Sequence, residues 1–288
     1  MTQAHQHTPH GEGGHHHAHD DRSQAEILDL DAEVLAEHLA LITAWLPLKA
    51  EPRQIVDLGC GTGAGTFALL DRFPEAHVTA VDTSAGHLQL LREKARAHGT
   101  EKRVRTVQAD LDAAAWPGLG TPDLVWASAS MHHMAHPDRT LAGVHDLLAP
   151  GGLFAVVELD GFPRFLPADA PENRPGLEER CHRATDAFHV EHVPHRGADW
   201  GPMLSAAGFT VEDERTVTVN IEGDRSEAIG RYAHGSLRRI RGAAAPALSP
   251  EDLAALDELL DTDSPHSILR RDDLTVRTER TVWAARRA

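Results

Sequence analysis

The residues able to do chemistry begin at Ile55-Val56-Asp57-Leu58-Gly59-Cys60-Gly61-Thr62-Gly63-Ala64-Gly65-Thr66. A short apolar run carries an acid, a loop follows with glycine at every second position, and a helical pattern starts at once. A strand that turns into a helix in this way brings main-chain N–H groups close to a nucleotide-like ligand. Side chains at Gly59, Gly61 or Gly63 would block that approach. Three further polar residues close later apolar runs: Asp82, Asp110 and Ser128. An ionised carboxylate such as Asp82 suits a ribose, because it can accept from both hydroxyls.

By itself the loop is ambiguous. Gly59, Gly61 and Ala64 fit the dinucleotide pattern G-x-G-x-x-G/A, and Asp82 lies at about the right distance to bind a ribose hydroxyl. An NAD(P)-dependent oxidoreductase is therefore a rival reading. Three details oppose it: Asp57 stands two residues before the first glycine, Gly63 keeps the every-second spacing, and Leu148-Ala149-Pro150-Gly151-Gly152-Leu153 precedes a strongly apolar run.

The elements that must position these residues alternate. Strands are expected at Ile55–Leu58, His77–Val81, Val104–Gln108, Asp123–Ala127 and Leu153–Leu159. Between them, helices are expected at Ala64–Arg72, from a capping Ser84 to about His98, and at Pro137–Leu148. Alternating strands and helices imply right-handed crossovers, an α/β class and a doubly wound, mostly parallel sheet. Ligands of such sheets sit at the carboxyl ends of the strands, where Gly59–Gly63, Asp82, Asp110 and Ser128 all fall. Ile27–Leu46 has the spacing of one helix with a buried face, able to pack on the sheet edge or to cover the ligand. Past Leu159 the rhythm breaks. Residues 160–197 read as an insertion with a helix around Glu178–His189. A helix follows at Trp200–Ala207, a strand at Thr216–Ile221, helices at Ser226–Arg241 and from Ser249-Pro250 to about Leu260, and a last strand at Leu274–Trp283.

The motifs, in this order, resemble those of class I S-adenosylmethionine-dependent methyltransferases. Val56–Gly63 is similar to their first motif, and Asp82 in Ala80-Val81-Asp82-Thr83-Ser84 to their acid after strand 2. Gln108-Ala109-Asp110-Leu111 resembles the end of strand 3. Asp123–Ser128 followed by Met131-His132-His133 resembles the strand 4 motif, and Leu148–Leu153 the approach to strand 5. The resemblance covers about residues 50–160. It implies a Rossmann-like, seven-stranded sheet with an antiparallel last strand, and S-adenosyl-L-methionine as cofactor. It places Asp57, Gly59, Gly61 and Gly63 near the cofactor's amino acid part. Asp82, Thr83 and His87 fall around the ribose and adenine, Asp110 and Leu111 at the adenine, and Ser128 near the methionine portion. Turn-forming or packing roles compete at Asp57, Thr83 and Asp110.

Methyl transfer from a sulfonium mainly requires orientation of the acceptor and exclusion of water. His133, less directly His132, and Glu158 near the end of the fifth strand are the candidate catalytic groups; packing beneath the cofactor competes for the histidines. The segments at about 160–197 and 223–272 are expected to form helical caps over an acceptor site within a domain spanning 25–288. Arg238, Arg239 and Arg241 read as a solvated helix face, or as an attractor for an acidic acceptor.

Composition sets outer limits. A net charge of −16 over 288 residues argues against a nucleic acid partner; a small-molecule methyl acceptor is expected, with protein acceptors left open. Cys60 and Cys181 form no disulfide framework, no apolar run is long enough for a bilayer, and the start lacks the layout of a signal peptide, so a cytoplasmic enzyme is expected, monomeric or homodimeric. Residues 1–24 hold seven histidines (His5, His7, His10, His15, His16, His17 and His19) and few large apolar groups, which predicts a disordered tail. Such a tail can bind transition metals weakly, which leaves a non-catalytic metal-handling protein on the same fold as a further reading. His182, His189, His192 and His195 do not make a metal site by spacing, and none is expected.

Overall fold

The computed structural model describes residues 13–193, 195–222 and 226–288, with side chains described from Arg22 onward and not at 187–192. His5, His7 and His10 of the expected tail lie outside the described residues, as do the side chains of His15, His16, His17, His19, His189 and His192.

Seven strands form one sheet in the order β3-β2-β1-β4-β5-β7-β6. They are β1 (Gln54–Leu58), β2 (His77–Asp82), β3 (Val104–Gln108), β4 (Leu124–Ser128), β5 (Leu153–Leu159), β6 (Phe209–Glu222) and β7 (Thr275–Arg287). The first five pair in parallel, and β7 runs antiparallel to both β5 and β6. The expected α/β, doubly wound, methyltransferase-like sheet with an antiparallel last strand is what the chain forms. β4 and β5 are buried on both faces, which is why they read as continuous apolar runs.

Helices α1 (Gly13–Val34), α2 (Ala36–Trp45), α3 (Ala64–Arg72), α4 (Ala85–Ala97) and α5 (Pro137–Leu147) accompany the parallel half. Later come α6 (Leu177–His192), α7 (Trp200–Ala206), α8 (Glu227–Ala244) and α9 (Pro250–Leu260). Local chemistry explains the boundaries. Ser84 accepts from the His87 N–H at 3.1 Å and starts α4. Ser249 caps α9 through Asp252 N–H at 3.1 Å, with Pro250 at its first position.

Three expectations need correcting. The single helix expected over Ile27–Leu46 is two, because Leu35 leaves helical geometry (φ −100°, ψ 13°) between α1 and α2. α1 also begins at Gly13, inside the stretch expected to be unstructured; extending an existing helix fixes one residue per hydrogen bond gained, so the packed part from Ala25 onward can carry it back. Strand β6 begins at Phe209 rather than Thr216. Its first half is a charged, mostly exposed edge with a register shift between Val211 and Asp213, so it lacks the apolar alternation that marks a strand.

Two apolar layers cover the sheet faces. A third cluster joins Leu30 of α1, Phe165, Leu166, Leu177 and Cys181 around α6, Tyr232 and Leu237 of α8, and Leu256 and Leu259 of α9. Both insertions and the first helix thus share one core. Among the described residues no helix is long and apolar enough to cross a membrane.

Candidate active site

The strand order reverses between β1 and β4, and the carboxyl ends of β1, β2, β3 and β4 open on one cavity of about 490 Å³. That is a size ordinary for a small-molecule or cofactor site. Ser130 ties the two central strands at this point by donating to the Leu58 carbonyl at 2.9 Å.

The glycines shape the loop in a way the sequence did not show. Gly59, Gly61 and Gly63 all have left-handed backbone, with φ of 67°, 52° and 103°. A Cβ on Gly59 would overlap the Ser130 side chain, and one on Gly63 would meet Phe67 at 2.7 Å and Leu91 at 3.0 Å. Gly63 does not line the cavity, so its role is to start α3, not to admit a ligand. Gly59 and Gly61 both line the cavity, and a Cβ on Gly61 would face Leu28 of α1 at 3.2 Å.

Asp82 locks this loop. One oxygen accepts from Gly61 N–H and the other from Ser84 N–H, both at 2.8 Å, with His87 Nδ1 at 3.6 Å from the carboxylate. Burial pushes its carboxyl up, but the hydrogen bonds from His87, Ser84 and Gly61 outweigh that and hold it below the usual range. Asp57 is the opposite case. It is buried, accepts from Thr66 Oγ1 at 2.6 Å, and burial pushes its carboxyl up to about 7, with Asp82 adding repulsion.

Thr83, His87, Leu111 and Ser128 line the same cavity, as does Asp110, which also turns the chain by accepting from Asp112 N–H at 2.8 Å. Asp112, not anticipated, accepts from Ala135 and His136 N–H, each at 2.9 Å, and ties the β3 loop to the segment after β4.

The candidate catalytic pair separates. His133 lines the cavity and is exposed to it. Glu158 does not: it is buried beneath the short 3-10 turn Met131–His133. Its carboxylate accepts from Met131 N–H at 2.8 Å and bonds His132 Nδ1 at 2.5 Å. β5 is buried on both faces, so alternation could not say which way residue 158 points. Glu158 thus fixes His132, whose ring packs on that of His133 with centroids 4.2 Å apart. Loss of solvent around the ring, then repulsion from His132, pushes His133 down to about 4, with Arg239 and Arg196 contributing. His133 is therefore neutral near pH 7.

The spacing of the first helix allows it either to pack on the sheet edge or to cover the ligand. It does cover the cavity: Gln24, Leu28, Asp31, Ala32 and Leu35 form one wall. Asp29 holds it to the glycine loop, accepting from Thr62 Oγ1 at 2.5 Å and pairing with Lys94. Asp31 takes both its oxygens to Arg280 at 2.7 Å and accepts from Tyr232 at 2.5 Å. Only the alternating acids of this helix, Asp29 and Asp31, could have signalled those anchors. His182 is buried on α6 beside Phe162, and His195 lines a separate hollow with His136 and Met203. No group of three metal-ligating side chains occurs among the described residues.

The lining has a charge character. Asp31, Asp57, Asp82, Asp110 and Asp112 face the cavity, while Arg280, the one arginine among its described lining residues, is engaged by Asp31. That suits a ligand with hydroxyls and positive charge. A pyrophosphate would meet carboxylates instead of cations.

Fold and cavity together define a Rossmann-like sheet with an acid-lined cavity at its switch point. A family model described as a methyltransferase domain matches residues 55–152. The trans-aconitate 2-methyltransferase of Paracidovorax citrulli is 42% identical over 118 residues, 40% of this chain and 42% of that one. Over this high-identity segment the chain thus spans only about two fifths of the relative's length. That of Methylobacterium nodulans is 30% identical over 235 residues, 76% of this chain and 78% of the relative. In fold, the YcgJ protein of Bacillus subtilis matches with a TM-score of 0.53 at 18% identity, covering 88% of this chain and 98% of that one. The chain belongs to the class I S-adenosylmethionine-dependent methyltransferases.

Proposed function

We propose that the protein transfers a methyl group from S-adenosylmethionine to a small-molecule acceptor. The observation that carries this is the convergence of Asp57, Asp82 and Asp110 with the Gly59–Gly61 backbone on one cavity that lacks a free cation among its described lining residues. When bound, the cofactor supplies a methyl group already activated on a sulfonium. Asp82 accepts from the ribose hydroxyls, helped by a carboxyl that stays ionised. Thr83 and His87 border the ribose, and Asp110 with the Leu111 main chain borders the adenine. Asp57, Gly59, Gly61 and Ser128 face the amino acid part. In Asp57 a positive ammonium finds a carboxylate whose ionisation it would itself favour. α1 closes the cavity against water, which strengthens each of these contacts.

His133 stands beside the acceptor end as a neutral group able to take or orient a proton, and Glu158 acts on it only through His132. α6, α8 and α9 form the cap over the acceptor, supported by their shared apolar core with α1. The relatives named above act, by their names, on trans-aconitate, which makes that acid the first acceptor to try. The test is methyl transfer from labelled S-adenosylmethionine to trans-aconitate and to a small-molecule extract. Protein-dependent labelling of a small product is expected. Labelling of macromolecules alone, or none, would overturn the proposal.

A further inference from the structure

Arginines of the cap are mostly paired. Arg164 meets Glu179, Arg174 and Arg180 share Asp252, Arg231 meets Glu26, and Arg241 meets Asp257. Two arginines near His133 break this habit. Arg196, in the segment between α6 and α7, and Arg239, on α8, both act electrostatically on His133 and repel each other. Neither has an ion-pair partner among the described residues, although the chain carries a net charge of −16. Glu158 and Asp186 attract Arg196 from a distance, but Glu158 is committed to His132 and to main-chain N–H groups, and Asp186 forms no ion pair with it.

Arg196 is also held in place. Its guanidinium carbon lies 3.5 Å from the centroid of the Phe162 ring, and its Nε is buried with no acceptor among the described residues. Burial, then repulsion from Arg239, pushes its basicity down to about 10, a cost that persists in the absence of an anion. A guanidinium fixed by an aromatic face presents its donors in a planar fork that matches a carboxylate or a phosphate.

We propose that Arg196 and Arg239 form the acceptor subsite and bind the oxyanion, carboxylate or phosphate, of an acidic small molecule beside His133. The proposal rests on the methyl-transfer reading and narrows it to acidic acceptors. It separates charge in space: carboxylates line the cofactor cavity, and the two guanidiniums act on His133 from outside that lining, where an anionic acceptor would bind.

The test is calorimetry on the full chain saturated with S-adenosylhomocysteine, with trans-aconitate as the carboxylate probe and glycerol 3-phosphate as the phosphate probe in separate arms. Trimethyl trans-aconitate is the neutral comparator. Arg196→Gln and Arg239→Gln should each weaken the bound anion by about tenfold or more, the size expected for one lost charge-assisted contact. Arg238→Gln, also on α8 but not acting on His133, should leave it unchanged. S-adenosylhomocysteine affinity, measured first for each variant, should match the wild type, which also reports that the variants fold. Whichever probe binds identifies the oxyanion. If S-adenosylhomocysteine binds but neither probe does at millimolar concentration, or the neutral ester binds equally, the subsite is wrong while the methyltransferase reading stands. The same holds if the arginine variants bind the anion as the wild type does. Failure of S-adenosylhomocysteine itself to bind would overturn both.

Discussion

Asp57→Asn should flatten the pH dependence of S-adenosylhomocysteine binding. In the free protein the Asp57 carboxyl is pushed up to about 7 by burial, with Asp82 adding repulsion. An ammonium placed against it favours the ionised form and lowers that value in the complex. Binding therefore releases a proton wherever the free protein is protonated and the complex is not. Affinity rises with pH up to about 7 and levels off above it. With apparent affinity scaling as the ionised fraction, the wild type should bind roughly tenfold below its plateau at pH 6 and about a hundredfold below at pH 5. His133, pushed down to about 4, titrates beneath this window. The asparagine keeps an acceptor for Thr66 but cannot titrate, so its profile should be flat and lie below the wild-type plateau. Linkage gives a second readout. A carboxyl raised from 3.8 to about 7 in the folded state contributes stability that is fully present below pH 3.8 and is lost as pH rises through 7. The loss is on the order of 4 kcal/mol as an upper bound. Asp57→Asn should therefore raise the melting temperature of the ligand-free protein at pH 8 and not at pH 4. Calorimetry in buffers of different ionisation enthalpy counts the proton directly. A flat wild-type profile, or the same slope in the variant, would refute the reasoning.

Other perturbations separate ligand effects from fold effects. Gly61→Val strains a left-handed position and drives a side chain toward Leu28, so S-adenosylhomocysteine binding should vanish in calorimetry while circular dichroism stays native; unchanged affinity would sink this account of the loop. Gly59→Ala should instead destabilise the fold by about 2 kcal/mol or more in urea, because its Cβ overlaps Ser130 between two central strands. Glu158→Gln keeps the shape but loses the charge on His132, and should cost about 1–3 kcal/mol in denaturation with cofactor affinity nearly kept; a loss of cofactor binding with full stability would place Glu158 in the cavity after all. Arg280→Met removes the clasp on Asp31 and leaves a carboxylate at the cavity, so it should cost about 3 kcal/mol or more and speed dissociation of S-adenosylhomocysteine in stopped-flow; an unchanged off-rate would mean that α1 is not a cover.

The parallel half of the fold was legible because its strands are buried on both faces and its helices carry their own stops. Leu153–Leu159 reads as one apolar run, and Ser84, Ser249 and Pro250 mark starts by local chemistry alone. The edge strand β6 was half hidden, since exposed charged residues from Glu212 to Arg215 satisfy no apolar period. The break at Leu35 carries neither proline nor glycine. Of the site, the acids at strand ends were readable, because topology alone places Asp82, Asp110 and Ser128 together. Side-chain direction was not: Glu158 turns to His132 instead of the cavity, and Gly63 serves α3. The contacts Asp31–Arg280 and Thr62–Asp29 span long sequence separations, and Arg196 and Arg239 come from different segments, before α7 and on α8, so only the folded chain relates them to His133.

Calorimetric titration of the full chain with S-adenosylhomocysteine, set against NADH and NADPH under the same conditions, tests the central claim most directly. The acid-lined cavity predicts one S-adenosylhomocysteine per chain and no measurable heat from either dinucleotide. Tight binding of a dinucleotide, with S-adenosylhomocysteine silent, would contradict it.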